Sequence, residues 1–367
     1  MDQEQLDALA NAALEELARR NYGDFFYLSH GKQWDLLRHQ KYITDRLQKI
    51  IDGEQKYYII EIPPKHGKST VITETFPAYY LMRHPDSLVM VVSYSKELFQ
   101  KFGRKNREKF RLFSEQLFGL QISSETSSVS EWGVEGHLGS LYSTSILGGA
   151  TGRGARLLII DDPIKNRAEA ESKTIRDKIY NEWQDTFYSR LTADASVIVI
   201  MTRWHEDDLA GRLLKEQTLP WEEIKIPAIA EDDDLLGRKP GEALAPEIGK
   251  DEEWAAKTKA VTGSRGWAAL YQQRPTPAGG NIFKRSWIKF YVPTLEKKVE
   301  LNLGDDVVIL PRLFDRQAQS WDCTFKDTET SDYVSGQVWG KKRADFYLLD
   351  RHHERMGIVE TMKAIDA

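Results

Sequence analysis

The stretch Tyr57-Tyr58-Ile59-Ile60-Glu61-Ile62-Pro63-Pro64-Lys65-His66-Gly67-Lys68-Ser69-Thr70 sets the class of fold. Its first half is a short apolar run without a polar face, the pattern of a strand covered on both sides. Gly-Lys-Ser and a helical segment follow. A strand, then Gly-Lys-Ser, then a helix is the setting that a phosphate-binding loop requires. Backbone N–H groups and a helix N-terminus surround the phosphates, Lys68 reaches the β- and γ-phosphates, and the Ser69 hydroxyl ligates Mg²⁺. The general pattern places a glycine five residues before Gly67, and Ile62 stands there instead. A chance Gly-Lys-Ser in a turn is therefore the competing reading of this stretch alone.

Downstream, the same strand signature recurs at Leu88–Tyr94, Leu157–Ile160 and Val197–Met201, with helical segments between. Short buried strands alternating with helices imply a mostly parallel α/β sheet. The third run ends in Asp161-Asp162-Pro163. A strand-end acid in this context binds Mg²⁺, directly or through water, and a neighbouring acid orients and deprotonates the attacking water. Asp161 takes the metal role and Asp162 the base role, although an Asp-Asp-Pro also serves simply to cap a following helix. Glu is the usual base, and the shorter Asp sets its carboxylate back by about one methylene. The fourth run ends in Thr202-Arg203-Trp204-His205. Ligands sit at the carboxyl ends of parallel strands, so Thr202 or Arg203 is placed to sense the γ-phosphate.

Upstream, Leu6, Leu9, Ala13, Leu14 and Leu17 at helical spacing predict an amphipathic helix over Gln3–Arg20. A second helix is expected from Trp34 to Ile51, stopped at Asp52-Gly53. Past Met201 the strand rhythm fades. Glu231–Gly241 reads as a polar loop, and Arg274–Gly280 (RPTPAGG) as a linker that neither helix nor strand continues cheaply. Strand-like runs return at Val307–Leu310, Gln319–Thr324, Tyr333–Trp339 and Phe346–Leu349. The expected divisions are 1–55 helical, 56–210 a P-loop core, 211–280 a linker or lid subdomain, and 281–367 a second α/β domain.

The 367 residues carry 51 Lys+Arg against 56 Asp+Glu, a net charge of −5, with 41% hydrophobic and 29% charged residues. That composition excludes disordered and fibrous chains, and no apolar run approaches the roughly 18 residues of a membrane span. The single Cys323 excludes an intramolecular disulfide framework and a cysteine-rich zinc site, and fits a reducing cytoplasm. The acidic balance hides a local exception. Lys96–Arg111 (KELFQKFGRKNREKFR) holds seven basic and two acidic residues. Its apolar residues pack on the sheet while Lys101, Arg104, Lys105 and Arg107 face out. That face suits sequence-independent contact with DNA phosphates, and equally a plain solvated helix surface.

Taken in order, PPKHGKST, LLIIDDP, IMTRWHEDDLAGRL and GWAALYQQRPTPAGGNIF resemble the large terminase subunit of tailed bacteriophages and prophages. The resemblance covers nearly the whole chain, and its most specific parts are the Pro-Pro phosphate loop and Tyr271-Gln272-Gln273-Arg274-Pro275. It implies a P-loop NTPase of the RecA-like class, its mostly parallel sheet flanked by helices, followed by an RNase H-like α/β nuclease domain. It implies an ATP-driven motor that packages double-stranded viral DNA into a procapsid, and an endonuclease that cuts the concatemer.

The resemblance assigns Pro64, Lys65, His66, Gly67, Lys68, Ser69 and Thr70 to ATP, with Gln40 at the adenine. In Gly148–Arg156, an arginine finger reaches a neighbouring subunit's γ-phosphate, with Arg153 the first choice and Arg156 the second. Asp322, ending a strand, becomes the first nuclease metal ligand, for Mg²⁺ or Mn²⁺. About 55 residues follow Arg312, too few for the later acids, and Asp332 and Asp350 read as turn and strand-end residues. The nuclease is thus expected to be incomplete over this sequence. Implied partners are other copies in a ring, a portal protein and a small terminase subunit. No membrane is implied. The implied place is the host cytoplasm, docked on the procapsid during packaging and absent from the mature virion. The competing classes are a helicase-like nucleic-acid translocase and a nucleotide-binding scaffold with little turnover.

Overall fold

Three helices lead into the first strand: α1 (Gln3–Arg20), α2 (Tyr22–Ser29) and α3 (Arg38–Ile51). α1 has the span that its leucine spacing predicts, capped by Asp2, whose side chain accepts from Gln5 N. α3 ends at Asp52, and Gly53 takes φ 93°, the left-handed stop that Asp-Gly signals. Trp34, where the sequence predicts the start of that helix, lies outside the described residues. The computed structural model of the protein describes residues 2–31, 36–150, 152–275, 289–301, 307–323 and 333–366. Two compact units divide it, Met1–Asn281 and Ile282–Ala367.

The first unit continues with β1 (Tyr57–Glu61), α4 (Lys68–Val71), α5 (Phe76–Arg83), β2 (Leu88–Ser93), α6 (Lys96–Phe118), β3 (Ile122–Ser127), β4 (Glu131–Val134), β5 (Ser140–Ser145) and β6 (Ala155–Asp161). After these come α7 (Arg167–Glu171), α8 (Lys173–Glu182), β7 (Leu191–Met201), α9 (Leu209–Glu216), β8 (Trp221–Lys225) and α10 (Glu252–Gly266). The strands form one sheet in the order β3-β4-β5-β2-β6-β7-β1-β8. Pairing is parallel from β5 through β8, and antiparallel only for β3–β4 and β4–β5.

Side-chain alternation explains why these strands read as continuous apolar runs. Tyr58, Ile60, Val89, Val91, Leu157, Ile159, Ile198 and Ile200 enter one core cluster with α1, α2, α3 and α5. Their neighbours Ile59, Met90, Val92, Leu158, Ile160, Val197 and Val199 enter a second cluster with α8 and α9. Because successive strand residues point to opposite faces, a strand with apolar residues at every position needs helices on both sides.

In the first unit the apolar-run reading misses four strands. β3, β4 and β5 are rich in serine and glutamate, and β8 (WEEIK) buries chiefly Ile224. All four lie toward the margins of the sheet, where a strand is not sandwiched over its whole length and no continuous apolar run is required. It misses α2 as well, which is only two turns long. Glu231–Gly241 is irregular as expected, yet its Asp234 and Arg238 form a buried ion pair at 2.6 Å rather than a solvated loop.

The second unit has β9 (Phe290–Val292), α11 (Leu295–Glu300), β10 (Val307–Ile309), β11 (Arg316–Asp322), β12 (Val334–Lys342), β13 (Asp345–Glu354) and α12 (Ile358–Asp366). β9 and β10 pair in parallel, and β11-β12-β13 form an antiparallel meander. No helix among the described residues is long and apolar enough to cross a membrane.

Candidate active site

The carboxyl ends of β1, β6 and β7 are neighbours in the sheet, and the loops that leave them carry the polar groups. After β1 the chain runs Ile62-Pro63-Pro64 into a tight loop, then into α4 with Gly67 as its N-cap. The loop takes positive φ at Lys65 (62°) and at Gly67 (81°). Ile62 is not at such a position and is fully buried in the core, so the position that departs from the general motif makes no demand for glycine. At Gly67 the demand is real. A Cβ there would sit 2.6 Å from Gln40 Nε2, because the N-terminus of α3 packs on the loop. His39 Nε2 donates to the His66 carbonyl at 2.8 Å, and His66 Nδ1 donates to the Pro64 carbonyl at 2.9 Å. Burial pushes both imidazoles down to about 4.

Lys68 is buried, and its ammonium lies 2.7 Å from Asp162 Oδ2 and also donates to Thr202 Oγ1. Asp162 takes φ 43°, a left-handed conformation that aspartate tolerates, and its Oδ1 accepts from Thr202 N at 2.8 Å. Residues that follow β1, β6 and β7 thus close on one another. Asp161, one residue earlier, is buried instead. Thr73 Oγ1 donates to its Oδ2 at 2.5 Å, while Oδ1 has no partner. Burial, together with the neighbouring Asp162 charge, pushes Asp161 up to about 7. A buried carboxylate oxygen lacking a partner is costly unless a cation or proton completes it. Ser69 and Asp161 are the hard oxygen donors that suit Mg²⁺, so the residues present fit that ion.

The remaining expected residues fall elsewhere. Pro64, Lys65 and Thr70 lie on or beside the loop, with Lys65 exposed. Gln40 is buried against Gly67, its Oε1 accepting from Leu37 N at 3.2 Å. Thr202 is in the cluster. Arg203, expected to share its role at the γ-phosphate, turns its guanidinium away into buried pairs with Glu61 and Asp208. Arg153 is not brought to the cluster either. It makes a forked pair with Glu131 at 2.7 Å and lies over the Tyr142 ring of β5, four strand positions from β1. Arg156 pairs with Asp194 at 2.9 Å. On α6, Lys101 pairs with Glu74 at 2.5 Å and Arg107 donates to the Ser127 carbonyl at 2.5 Å, while Arg104 and Lys105 are exposed.

In the second unit Asp322 ends β11, exposed and opposite Ser335, and Asp350 lies exposed on β13 opposite Val338. Asp332 and Gly279–Phe283 lie outside the described residues. No group of three or more His, Cys, Asp and Glu suited to a metal occurs among the described residues. Sequence reasoning misses Thr73, for which no local signal exists. It also misses Gln272 and Gln273 as contacts, though the Tyr-Gln-Gln stretch stands out in the sequence. Gln272 exchanges two hydrogen bonds with Ile229, receiving from its N–H at 3.0 Å and donating to its carbonyl at 3.1 Å.

Sheet order, phosphate loop and strand-end acids together define a P-loop NTPase sheet. Residues 59–290 match the model of the terminase large subunit, T4likevirus-type, N-terminal, and residues 319–367 match that of the terminase RNaseH-like domain. The chain belongs to the terminase large subunit family. Among solved structures, the HK97 bacteriophage large terminase is 14% identical with a TM-score of 0.43, aligned over 91% of this chain and 66% of its own length. The chain thus spans just under two thirds of that relative. The large terminase of a thermophilic bacteriophage is 10% identical with a TM-score of 0.40, over 90% of this chain and 73% of its own. The Thermus phage P74-26 large terminase ATPase domain is 12% identical with a TM-score of 0.46, over 70% of this chain and 99% of its own. No curated protein matches the sequence.

Proposed function

We propose that this chain is an ATP-hydrolysing motor that drives double-stranded viral DNA into a procapsid. The observation that carries the reading is the junction of Lys68, Asp162 and Thr202 beside a buried, half-satisfied Asp161. Lys68 would take the β- and γ-phosphates, as a loop lysine preceded by backbone N–H groups does. A phosphate that claims the Lys68 ammonium frees Asp162 Oδ2 to accept a proton from water, and the Thr202 N–H holds the other oxygen in place. Ser69 and Asp161 would hold Mg²⁺, which when bound neutralises phosphate charge. Gln40, packed on the loop at Gly67, is the residue proposed at the adenine.

The arginine finger is proposed to act between subunits of a homo-oligomeric ring. The Arg153 side chain reaches β5 and β4 of its own chain, four and five strand positions from β1, a placement that supports service to a neighbour rather than to its own loop. Arg104 and Lys105, exposed on α6, with Lys101 and Arg107, are proposed to grip DNA phosphates without reading bases. The second unit is proposed as RNase H-like nuclease sequence, with Asp322 its first ligand for Mg²⁺ or Mn²⁺. Portal protein and small terminase subunit are the proposed docking partners, in the host cytoplasm.

The test is DNA-stimulated ATP hydrolysis by the full chain and by Lys68→Ala. Loss of turnover in the variant supports the motor. Equal turnover in both removes the site, and tight ATP binding without turnover in either favours a scaffold. For the finger, Arg153→Ala subunits mixed with Asp162→Ala subunits should regain part of the activity that each lacks alone. Absence of rescue at every ratio excludes action in trans.

A further inference from the structure

Directly after Thr202, Arg203 plunges into the protein instead of facing the phosphate loop. Its Nη1 donates to Glu61 Oε1 at 2.5 Å and its Nε to Asp208 Oδ2 at 2.9 Å. All three side chains are nearly or fully buried. Each partner is itself structural. Glu61 is the last residue of β1, the strand that delivers the phosphate loop, and its carbonyl accepts from Ile226 N at 2.9 Å. Asp208 caps α9, its Oδ1 accepting from Gly211 N at 3.0 Å. A fourth element arrives from the other side. Arg203 N lies 3.5 Å from Gln273 Oε1, and Gln273 is buried with φ 54° at the end of the Trp267–Tyr271 turn. Space is tight throughout, since a Cβ on Gly211 would lie 3.0 Å from Arg203 Nη2.

The chemistry of the set is unusual for a mere prop. One guanidinium faces two buried carboxylates, and Glu61 Oε2 has no partner. Replacing a buried ionic set by apolar side chains of similar volume is often neutral or stabilising, so burial alone does not account for this one. A planar fork with donors at fixed angles pins two acids at once, as an ammonium does not.

We propose that Arg203 is a positioning residue of the hydrolysis site, fixing Thr202 against Lys68 and Asp162 through Glu61 and Asp208, and tying that loop through Gln273 to the turn at Trp267–Tyr271. The inference rests on the ATPase reading above and deepens it. Arg203 touches no nucleotide. It sets where Thr202 stands, and Thr202 in turn orients Asp162 and Lys68. Displacement of the Gln273 turn, which meets the Arg203 backbone N–H, and the setting of the catalytic carboxylate are then linked through one residue.

The experiment measures steady-state ATP hydrolysis separately from equilibrium binding of ATP and ADP, for the full chain and for Arg203→Gln, Arg203→Lys, Glu61→Gln and Gln273→Ala. Arg203→Gln should lower kcat by about 30-fold or more while ATP affinity changes by less than about threefold. Arg203→Lys should recover only part of that loss. Glu61→Gln and Gln273→Ala, which keep the guanidinium, should lower kcat to a smaller extent with affinity unchanged. They carry the test if Arg203→Gln proves unfolded by circular dichroism. A selective loss of ATP over ADP affinity in Arg203→Gln overturns the proposal, because it places the guanidinium on the γ-phosphate. Unchanged kcat in the folded variants, with only a lower Tm, overturns it as well. Absent turnover in the unmodified chain sinks the ATPase reading and this inference together, whereas an active parent with indifferent variants sinks the inference alone.

Discussion

The centre of the eight-stranded sheet and the meander of the second unit handle their carboxylates in opposite ways. In the centre, Asp161, Asp162, Glu61 and Asp208 stand at strand ends or just beyond, held by Lys68, Thr73, Thr202 and Arg203, most of them buried. In the meander, Asp322 and Asp350 are exposed, and no metal-grade cluster gathers around them among the described residues. The contrast follows from layering. At the carboxyl edge of the covered parallel sheet, Glu61, Asp161 and Asp208 are buried, and a buried charge must find a partner. The three-stranded meander leaves its acids in water, where they need none.

The largest break in this comparison is Lys68→Ala. Removing the cation that meets Asp162 and Thr202 should cut ATP turnover by about 10²–10³-fold, the scale seen when one preorganised donor to a developing charge is deleted. Asp322→Asn should leave ATP turnover unchanged, and a loss comparable to that of Lys68→Ala would erase the distinction between the regions. Both are read from phosphate release at saturating ATP.

Stability sharpens the same contrast. Ile159→Ala, at a position with no exposed surface, should cost about 2–5 kcal/mol by denaturant titration, the range for core truncations that leave a cavity. Leu313→Ala, at a position 78% exposed in the second unit, should stay within about 0.5 kcal/mol. Equal losses would mean that burial does not separate the two.

The smallest effect concerns protons. Burial pushes the His39 and His66 imidazoles down to about 4 in the folded protein, below the ordinary histidine value. With the folded value depressed, the neutral ring's contribution is complete above about 6.5 and is lost as pH falls toward 4, when the unfolded chain takes up protons that the fold refuses. Imidazole nitrogen shifts should therefore show both rings neutral at pH 6. Either ring titrating near 6.5 would show the phosphate loop open to water at its base.

Much of the first unit is legible in residues alone. Tyr57–Glu61, Leu88–Ser93, the core of Ala155–Asp161 and the end of Leu191–Met201 announce themselves because two-sided burial demands an apolar residue at every step. Lys68, Ser69, Asp161 and Asp162 are legible as chemistry, since a strand followed by Gly-Lys-Ser and a strand ending in acids are local patterns. The marginal strands Ile122–Ser127, Glu131–Val134, Ser140–Ser145 and Trp221–Lys225 are not, because pairing to a neighbour determines them rather than their own apolar content. Nor is the turn of Arg203 toward Glu61 and Asp208. Which strand ends become neighbours depends on sheet order, and Glu61, Asp161 and Thr202 lie far apart in the chain. Local sequence thus determined that there is a buried parallel sheet with a phosphate loop and strand-end acids. Only the tertiary structure decided that Thr202 closes on Lys68 and Asp162 while Arg203 faces the interior, because a side chain's partner is chosen by the elements packed around it, and the order of strands in the sheet selects those elements.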